Sequence, residues 1–513
     1  MVILYLLALV VRIVTALPEA QPGYMDAAYY YDIADSVARG RGLSENFLWN
    51  YLSNPTSLPQ PSNAYWMPIT SLVIAPFLWL GNSYRAAQIP FVLLAALLAP
   101  VTYALSLKLF GRKDWALVSA LLMLASSFYA PFWPALDSFA IFALLGTGVL
   151  WLSAHPAPVR TRTAVLCGAL VGLAHLTRAD GFLLLLAPLA IWRMGVRPAR
   201  SVSPLLVGYL AVMLPWFVRN LAAFGMPLPG GGSLFMRSYN DLFFYDQPLT
   251  LDTWLAGGAG EIAGAWLRAL ALNSATLAGA LHFVYLPLVW VAAWRERRRA
   301  IVRAGAVLLA GYFVLSTFVF SQSGPRGTFL HALAALLPLL YALAPAGLAA
   351  VIAWVAARRT AWNAVQAERV FGIAFLLMAV VLSAFLYAAN VFGSATQPGW
   401  NDRFKTYQQI DAFLVREGGT LYGPDSPILC INPPAYFYFA QHPAIALPTD
   451  DALALIHAGA AFGARMFILE PDHPGYLDTV YDFTVPDQRF QLRATFADST
   501  GGQVQLYQIV PLR

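Results

Sequence analysis

The chain has 513 residues, of which 59% are hydrophobic and 11% are charged, and its mean hydropathy is +0.60. Soluble domains carry about 25% charged residues, so this composition excludes an ordinary soluble protein and predicts a polytopic membrane protein. The formal net charge of +6 is informative only through its distribution along the chain. Cys167 and Cys430 lie far apart and outside any metal-binding spacing, which argues against a disulfide framework or a thiolate metal site.

The first element is the hydrophobic segment MVILYLLALVVRIVTALP, which lacks a basic leader region and a small-residue cleavage site. We therefore expect a retained membrane span rather than a signal peptide. The next stretch, GYMDAAYYYDIADSVARGRG, has the period of an amphipathic helix that lies on a bilayer surface. Its predicted wet face carries Asp32, Asp35 and Arg39, whereas Asp26 falls on the apolar face. Asp26 is either a helix N-cap or a catalytic carboxylate.

Further hydrophobic segments continue to residue 392 and predict a helical membrane domain over residues 1–392, with about 11–12 segments in all. Basic residues are concentrated in alternate short loops, which marks those loops as cytoplasmic. The extracytoplasmic side then receives a first loop over 19–65 and a long loop over 225–275. The stretch 66–81 contains two prolines and is short, so we expect a partial or re-entrant helix.

The last segment, residues 393–513, is acidic where the rest of the chain is basic. Strand-like runs at 428–431 and 466–470 alternate with helix-like runs, and a turn around Ser499–Gly502 joins a final pair of strands. This pattern predicts a small α/β domain with a mainly parallel sheet. The loop parity places it on the extracytoplasmic side.

Ionisable side chains gather on the predicted extracytoplasmic face of the membrane part, where burial is costly and function is the usual reason for it. An acid pair with several arginines suits a lipid that carries a phosphate, because arginine binds phosphate through a bidentate fork. A carboxylate there can deprotonate an attacking hydroxyl or amine. Tyr29 and Tyr30 adjoin the first acid and are further substrate-binding candidates. The ionisable candidates are Asp26, Asp137, Arg178, Asp180, Arg219, Arg237, Arg326 and His331.

Most of these candidates also have a purely structural interpretation, and the sequence leaves both open. Arg326 is the exception, since the surrounding GPRG offers it no nearby acid. The structural alternatives are an N-cap for Asp137, an ion pair with Arg178 for Asp180, interfacial anchoring for Arg219, an ordinary loop position for Arg237, a hydrogen bond within a helix for His331, and an aromatic belt for Tyr29 and Tyr30.

The first span and its MDAAYYYDIADSVARGRG loop resemble the opening of the C-type (GT-C) glycosyltransferase superfamily. The resemblance is nearest to the protein O-mannosyltransferase and aminoarabinose transferase branch, and it extends over the whole membrane part and the tail. The chain departs from the family pattern at Ala27, where an acid is frequent, and at Ala64-Tyr65-Trp66, where several relatives carry a charged pair. The other matching pieces are YWMP (65–68), ALD (135–137), HLTRADG, PWFVRNLAAFG and GPRGTFLHALAALLPLLYALAP.

The resemblance implies an integral glycosyltransferase of the cell membrane that moves a sugar from a polyprenyl-phosphate donor to an acceptor on the extracytoplasmic face. Asp26 matches the catalytic carboxylate of the first loop, and Asp137 matches the acid of the second loop. Arg178 falls where the family often places a cation near the donor phosphate. Arg326 and His331 fall in a late loop and helix that border the donor site.

The expected partners are membrane lipids, the lipid-linked sugar, and a protein, glycan or lipid acceptor in the cell envelope, with no nucleic acid. No cofactor and no metal site are predicted, and because no nucleoside diphosphate leaves, a divalent ion is neither required nor forbidden. Two other classes remain open: a transporter or flippase of a lipid-linked substrate, and a non-catalytic envelope protein with the same fold. Transporters usually contain internal repeats, and we find none in this sequence.

Overall fold

The computed structural model describes residues 1–155, 159–192, 199–321, 327–359, 362–417, 422–423 and 425–510. Within these ranges and before residue 400, the chain is mainly helical. The helices in chain order are α1 (Val2–Ala16), α2 (Met25–Ala38), α3 (Ile69–Leu78), α4 (Tyr84–Phe110), α5 (Lys113–Ala125), α6 (Phe139–Ser153), α7 (Thr161–Thr177), α8 (Leu186–Trp192), α9 (Ala199–Phe224), α10 (Leu251–Ala256), α11 (Gly258–Ala280), α12 (Tyr285–Arg295), α13 (Ala300–Phe318), α14 (Thr328–Leu333), α15 (Leu337–Ala356) and α16 (Ala364–Val391).

The membrane part is built from long apolar helices. In the described part of the chain, five of them are long and apolar enough to cross a membrane, namely α4, α9, α13, α15 and α16. The pair α11 and α12 passes the same test together, although the two helices are bent by 88°. Shorter apolar helices, including α1, α6 and α7, pack among them. The predicted polytopic helical architecture is confirmed.

Two helix boundaries differ from the prediction. The long loop predicted over 225–275 ends early, because α11 already begins at Gly258. The first turns of α11 contain three glycines and Glu261, so they lack the continuous apolar run that predicts a membrane helix. The hydrophobic stretch over 328–355, which is continuous in the sequence, is divided into α14 and α15. Pro338 lies in the first turn of α15, where its missing N–H favours a new helix start over continuation of α14.

The tail forms the predicted α/β domain. Its helices are α17 (Lys405–Glu417), α18 (Pro433–Ala440), α19 (Ala452–Phe462) and α20 (Asp478–Tyr481). The strands of the chain are β1 (Ser44–Glu45), β2 (Phe47–Leu48), β3 (Gln60–Pro61), β4 (Ile428–Cys430), β5 (Ala444–Ala446), β6 (Met466–Leu469), β7 (Phe490–Ala497) and β8 (Gln503–Ile509).

The tail sheet includes a strand from the first loop. Its order is β2-β5-β4-β6-β8-β7, in which β2, β5, β4 and β6 run parallel and β8 and β7 form the antiparallel pair that closes the chain. Strand β2 pairs Phe47 with Ala444 of β5. The first loop and the tail are therefore held in one sheet. We call the end of the bundle that is covered by residues 17–66 and the tail the capped end.

Helix α2 lies between the membrane part and the tail rather than on an open surface. Helix α18 packs on it, and the rings of Tyr31 and Tyr438 meet edge to face at 5.0 Å. As a result Asp32 and Asp35 are only 5% and 8% exposed, so the prediction that they face water is wrong. Asp35 forms an ion pair with Arg39, four residues further along the helix, at 2.7 Å.

The long loop before α11 is also attached to the tail. The carboxylate of Asp450 accepts backbone N–H bonds from Tyr245, Asp246 and Gln247 at 2.9, 2.6 and 3.2 Å. His457 of α19 adds a contact of 2.7 Å to the Asp246 carboxylate. The first loop, the long loop and the tail therefore form one continuous cover over the capped end.

Candidate active site

Three titratable side chains from distant parts of the chain converge at the capped end. Asp26 lies in the first turn of α2, Asp137 lies in the turn before α6, and His331 lies in α14. One ligand-type atom from each lies within 4.8 Å of the other two. Asp26 is half-buried, whereas Asp137 and His331 are buried. The N-cap of α2 is Tyr24, so the N-cap interpretation of Asp26 is wrong.

Asp137 is the best-connected member of this cluster. Tyr24 donates its hydroxyl to Oδ2 at 2.8 Å, and Nε2 of His331 lies 3.3 Å from the same oxygen. The backbone N–H and the hydroxyl of Ser138 donate to Oδ1 at 2.5 and 2.9 Å. Burial by itself raises the pKa of Asp137, but His331 and the donors from Ser138 and Tyr24 outweigh it and hold that pKa below its usual value. Asp137 therefore acts as a fixed negative charge.

His331 is oriented from two sides. Its ring stacks on Phe139, the first residue of α6, with centroids 4.2 Å apart. Its Nδ1 lies 3.4 Å from the carbonyl oxygen of Gly327. These contacts fix the ring so that Nε2 faces Asp137.

Arg178 lies close to the cluster and is already paired. It follows the end of α7 in an extended conformation and binds both oxygens of Asp180, with Nε–Oδ1 at 2.9 Å and a second contact at 3.2 Å. Gly181 makes this turn possible, because a Cβ there would lie 2.2 Å from the carbonyl oxygen of Ala174. The side chain of Arg178 is 16% exposed. Its charge interacts with Tyr30 and Asp137, which places it beside the acidic cluster.

The remaining predicted site residues are distributed differently. Tyr30 is buried and interacts electrostatically with Asp137, Asp26 and Arg178. Tyr29 is 1% exposed, and its hydroxyl accepts the backbone N–H of Asn63 at 2.8 Å, so it supports the first loop from within. Arg237 lies apart, in a cavity of about 420 Å³ on the long loop, where it pairs with Glu261 at 3.1 Å. Arg326 falls outside the described residues.

The fold assembles a set of possible metal ligands that the linear spacing does not reveal. The carboxylates of Asp26 and Asp137 and the imidazole of His331 are close enough to share one cation, and they would suit a divalent ion that accepts oxygen and nitrogen ligands. Asp137 also accepts hydrogen bonds from Tyr24 and Ser138, and His331 contacts it. The expectation that no metal is needed stays a prediction.

Sequence reasoning missed two tyrosines of this site. Tyr24 donates to Asp137, and Tyr65 lies within electrostatic range of Arg178, Asp26 and Asp180. Tyr24 stands two residues before Asp26, which was the available signal for it. Burial raises the pKa of Tyr65 to about 12, so its hydroxyl keeps its proton and can donate a hydrogen bond.

Glu45 is a further buried acid that the sequence did not single out. It is 6% exposed and accepts a hydrogen bond from Gln60 at 2.7 Å, across the β1–β3 pair. Burial raises the pKa of Glu45 to about 8, against the opposing effects of Gln60, Tyr29 and Arg219. The carboxyl of Glu45 is therefore neutral in the folded protein over most of the physiological pH range. The unfolded chain releases this proton in the same range.

This difference predicts how stability varies with pH. Between about pH 5 and pH 8 the unfolded state ionises at Glu45 while the folded state holds the proton, so the free energy of unfolding falls as pH rises. We expect Glu45→Gln to raise the melting temperature by an amount that grows from pH 5 to pH 8, since glutamine accepts the same bond from Gln60 without ionising. The measurement is the melting temperature in detergent across this range. Glu417→Gln, at an exposed end of α17, is the control, and a pH-independent difference between Glu45→Gln and the wild type would contradict the prediction.

The fold of the whole chain is similar to that of two crystal structures. The crystal structure of ArnT from Cupriavidus metallidurans bound to undecaprenyl phosphate matches with a TM-score of 0.58 and 16% identity, over 99% of this chain and 98% of that one. The apo form of the same protein matches with a TM-score of 0.58 and 15% identity, over 98% and 97%. No protein-family model and no curated protein matches the sequence. At this identity the likeness establishes the fold, and the predicted resemblance is confirmed at that level.

Proposed function

We propose that this protein transfers a sugar from a polyprenyl-phosphate donor to an acceptor at the extracytoplasmic face of the cell membrane, with Asp26 as the general base. The observation that carries the proposal is the convergence of Asp26, Asp137 and His331 at the capped end, with Arg178 beside them. Carboxylates that are shielded from water can remove a proton from one atom of a substrate, and a neighbouring arginine can bind its phosphate. The ArnT structure of the same fold was obtained with undecaprenyl phosphate, the kind of lipid phosphate that such a donor carries and that transfer would release.

The orientation follows from the distribution of positive charge. Arg112 at the start of α5 contacts Glu368 in the first turns of α16 at 2.7 Å, so these basic loops meet at the end of the bundle opposite to the capped end. Arg299, before α13, lies over the ring of Phe110 at the end of α4. Short basic loops favour the cytoplasmic side, which supports an extracytoplasmic capped end.

The proposed reaction is an inverting displacement. The acceptor hydroxyl or amine attacks the anomeric carbon and gives its proton to Asp26, while the bond from that carbon to the lipid phosphate breaks and its electron pair leaves with the phosphate. Arg178 stabilises the charge that grows on the departing phosphate. Asp137 keeps Tyr24 and His331 in place around Asp26, and the apolar helices provide the surface for the polyprenyl chain.

The direct test is a transfer assay with purified protein in liposomes. Radiolabelled polyprenyl phosphates carrying mannose or aminoarabinose serve as donors, and a cell-envelope extract supplies protein, glycan and lipid acceptors. We expect label to move from the lipid to an acceptor, with release of the polyprenyl phosphate. Movement of intact donor between leaflets without cleavage would instead establish a flippase, and no change in the donor would indicate a non-catalytic protein.

Arg178 and Asp180 distinguish phosphate binding from simple structural pairing. We expect Arg178→Ala to weaken binding of undecaprenyl phosphate by about 10- to 100-fold, the effect of losing one charge-assisted contact. Asp180→Ala should weaken binding less, because it removes the partner of the guanidinium and not the guanidinium itself. Binding affinity and melting temperature are measured for both variants. If the two variants behave alike and mainly lose stability, Arg178 has only a structural role.

A further inference from the structure

A group of aromatic rings lies in the first loop beside the acidic cluster. Trp66 stacks on Trp49 with ring centroids 3.8 Å apart and an interplanar angle of 12°. Tyr29 meets Trp66 edge to face at 4.7 Å, and Tyr65 meets Trp49 in the same way at 5.2 Å. We call Tyr65 and Trp66, with Trp49 and Tyr29 behind them, the aromatic platform.

The platform is rigid at its base and accessible at its edge. Trp49 and Tyr29 are 2% and 1% exposed, so they form a fixed support. Asn63 donates to the carbonyl oxygen of Trp66 at 3.0 Å and to the hydroxyl of Tyr29 through its backbone N–H at 2.8 Å. Tyr65 and Trp66 are themselves only half-buried. Two large rings are therefore held in place and kept partly open, which the packing of the loop alone does not require.

The platform is contiguous with the proposed reaction site. The ring of Tyr30 lies 6.1 Å from that of Trp66, and Tyr30 interacts with Asp137, Asp26 and Arg178. Tyr65 lies within electrostatic range of Arg178 and Asp26. A ligand that contacts both the base and the phosphate-binding arginine therefore has the platform beside it.

The long loop packs against one edge of the platform. A Cβ at Gly230, in its PGGGS run, would lie 3.2 Å from the carbonyl oxygen of Ala64 and 3.3 Å from a ring carbon of Tyr65. The platform therefore has the long loop at this edge and the acidic cluster nearby, and sites for small ligands combine aromatic side chains with a few polar groups in this way.

The chemistry of the aromatic platform indicates which class of ligand it would bind. An aromatic face carries partial negative charge and attracts the partially positive C–H groups of a ligand. A pyranose ring has an apolar C–H face and a polar rim, so it can stack on Trp66 and direct hydroxyl groups to Tyr65 and the carboxylates. We propose that the aromatic platform binds the sugar ring of the lipid-linked donor, with Trp66 as the stacking residue. This inference rests on the proposed function and adds a binding role for Trp66 and Tyr65.

The test compares two ligands on the same protein. Binding of undecaprenyl phosphate and of the mannosyl and aminoarabinosyl forms of this lipid is measured for the wild type, Trp66→Leu and Trp66→Phe. We expect Trp66→Leu, which keeps apolar volume without a ring, to lose about tenfold in affinity for the sugar-bearing lipid. Its affinity for the bare lipid phosphate should stay at the wild-type value. Trp66→Phe should retain most of the sugar-dependent affinity.

A tryptophan elsewhere in the chain gives the control for the same substitution. Trp290 of α12 is 72% exposed and far from the loop in sequence, so Trp290→Leu should leave the affinities for all three lipids unchanged. If Trp66→Leu is folded and keeps the wild-type ratio of sugar-bearing to bare lipid affinity, the platform proposal is overturned while the proposed function stands. If the wild type binds bare lipid phosphate but neither sugar-bearing form, the proposed function fails and the platform proposal fails with it.

Discussion

Asp26→Asn is expected to fold, to bind the lipid-phosphate donor and to transfer sugar at least ~100-fold more slowly than the wild type, the lower range for loss of a general base. The N-cap of α2 is Tyr24, so the substitution at Asp26 leaves the cap residue unchanged. The substitution keeps the size of the side chain and one hydrogen-bonding oxygen, and it removes the ability to accept a proton. Initial transfer rates, donor affinity and melting temperatures measure the three expectations.

Asp32→Asn is the matched control because it makes the same change on the same helix. Asp32 is 5% exposed, and burial, followed by the charge of Asp35, raises its pKa well above the usual value. Burial favours the protonated carboxyl, which an amide resembles, so the control should transfer sugar at close to the wild-type rate. Asp35 is unsuitable, since it pairs with Arg39 and Arg41. Near-normal transfer by Asp26→Asn would contradict a catalytic role for Asp26.

The elements that could be predicted are those whose signal is local. The alternation of short apolar strands with helices placed β4 and β6 within one residue, because each strand is buried and each connection is short. The buried and exposed faces of α2 could not be predicted from its sequence. Helix α18 packs on this helix and covers the face that the sequence pattern assigns to water. Strand β2 has two residues and forms only because the tail offers the edge of β5. Tertiary contact decides both cases.

In the candidate site, too, local features could be predicted from the sequence and tertiary contacts could not. Asp26, Asp137 and His331 were identifiable one by one, as ionisable groups at helix ends on one side of the membrane part. Their approach to within 4.8 Å depends on the packing of α2, α6 and α14, which no spacing in the sequence encodes. The pair of Arg178 and Asp180 was visible because its members are two positions apart along the chain. Tyr65 and Trp66 were not singled out as site residues, since aromatic side chains are common near any membrane surface.

Asp137→Asn is expected to lower sugar transfer by at least ~100-fold and the free energy of unfolding by about 3 kcal/mol, because it removes a buried charge from partners that remain. Asp137 now accepts hydrogen bonds from Tyr24, His331 and Ser138. The amide N–H group of asparagine would face either Tyr24 and His331 or Ser138, which are themselves donors. His331→Gln and Tyr24→Phe each remove one of these contacts and should have smaller effects on transfer. Wild-type transfer and stability in Asp137→Asn would show that the network has no role.

The coordination of Asp137 also bears on metal dependence. Its two oxygens offer about four lone-pair sites, and four donors occupy them: the Tyr24 hydroxyl, the Ser138 N–H, the Ser138 hydroxyl and the ring of His331. A cation held between Asp26, Asp137 and His331 would have to displace at least one of these donors and turn His331 away from the carboxylate. We therefore expect a chelator to leave wild-type transfer unchanged and added Mg²⁺ or Mn²⁺ to have no effect. Loss of transfer with the chelator and recovery with Mn²⁺ would assign the three residues to a metal site instead, with Asp137 as a ligand.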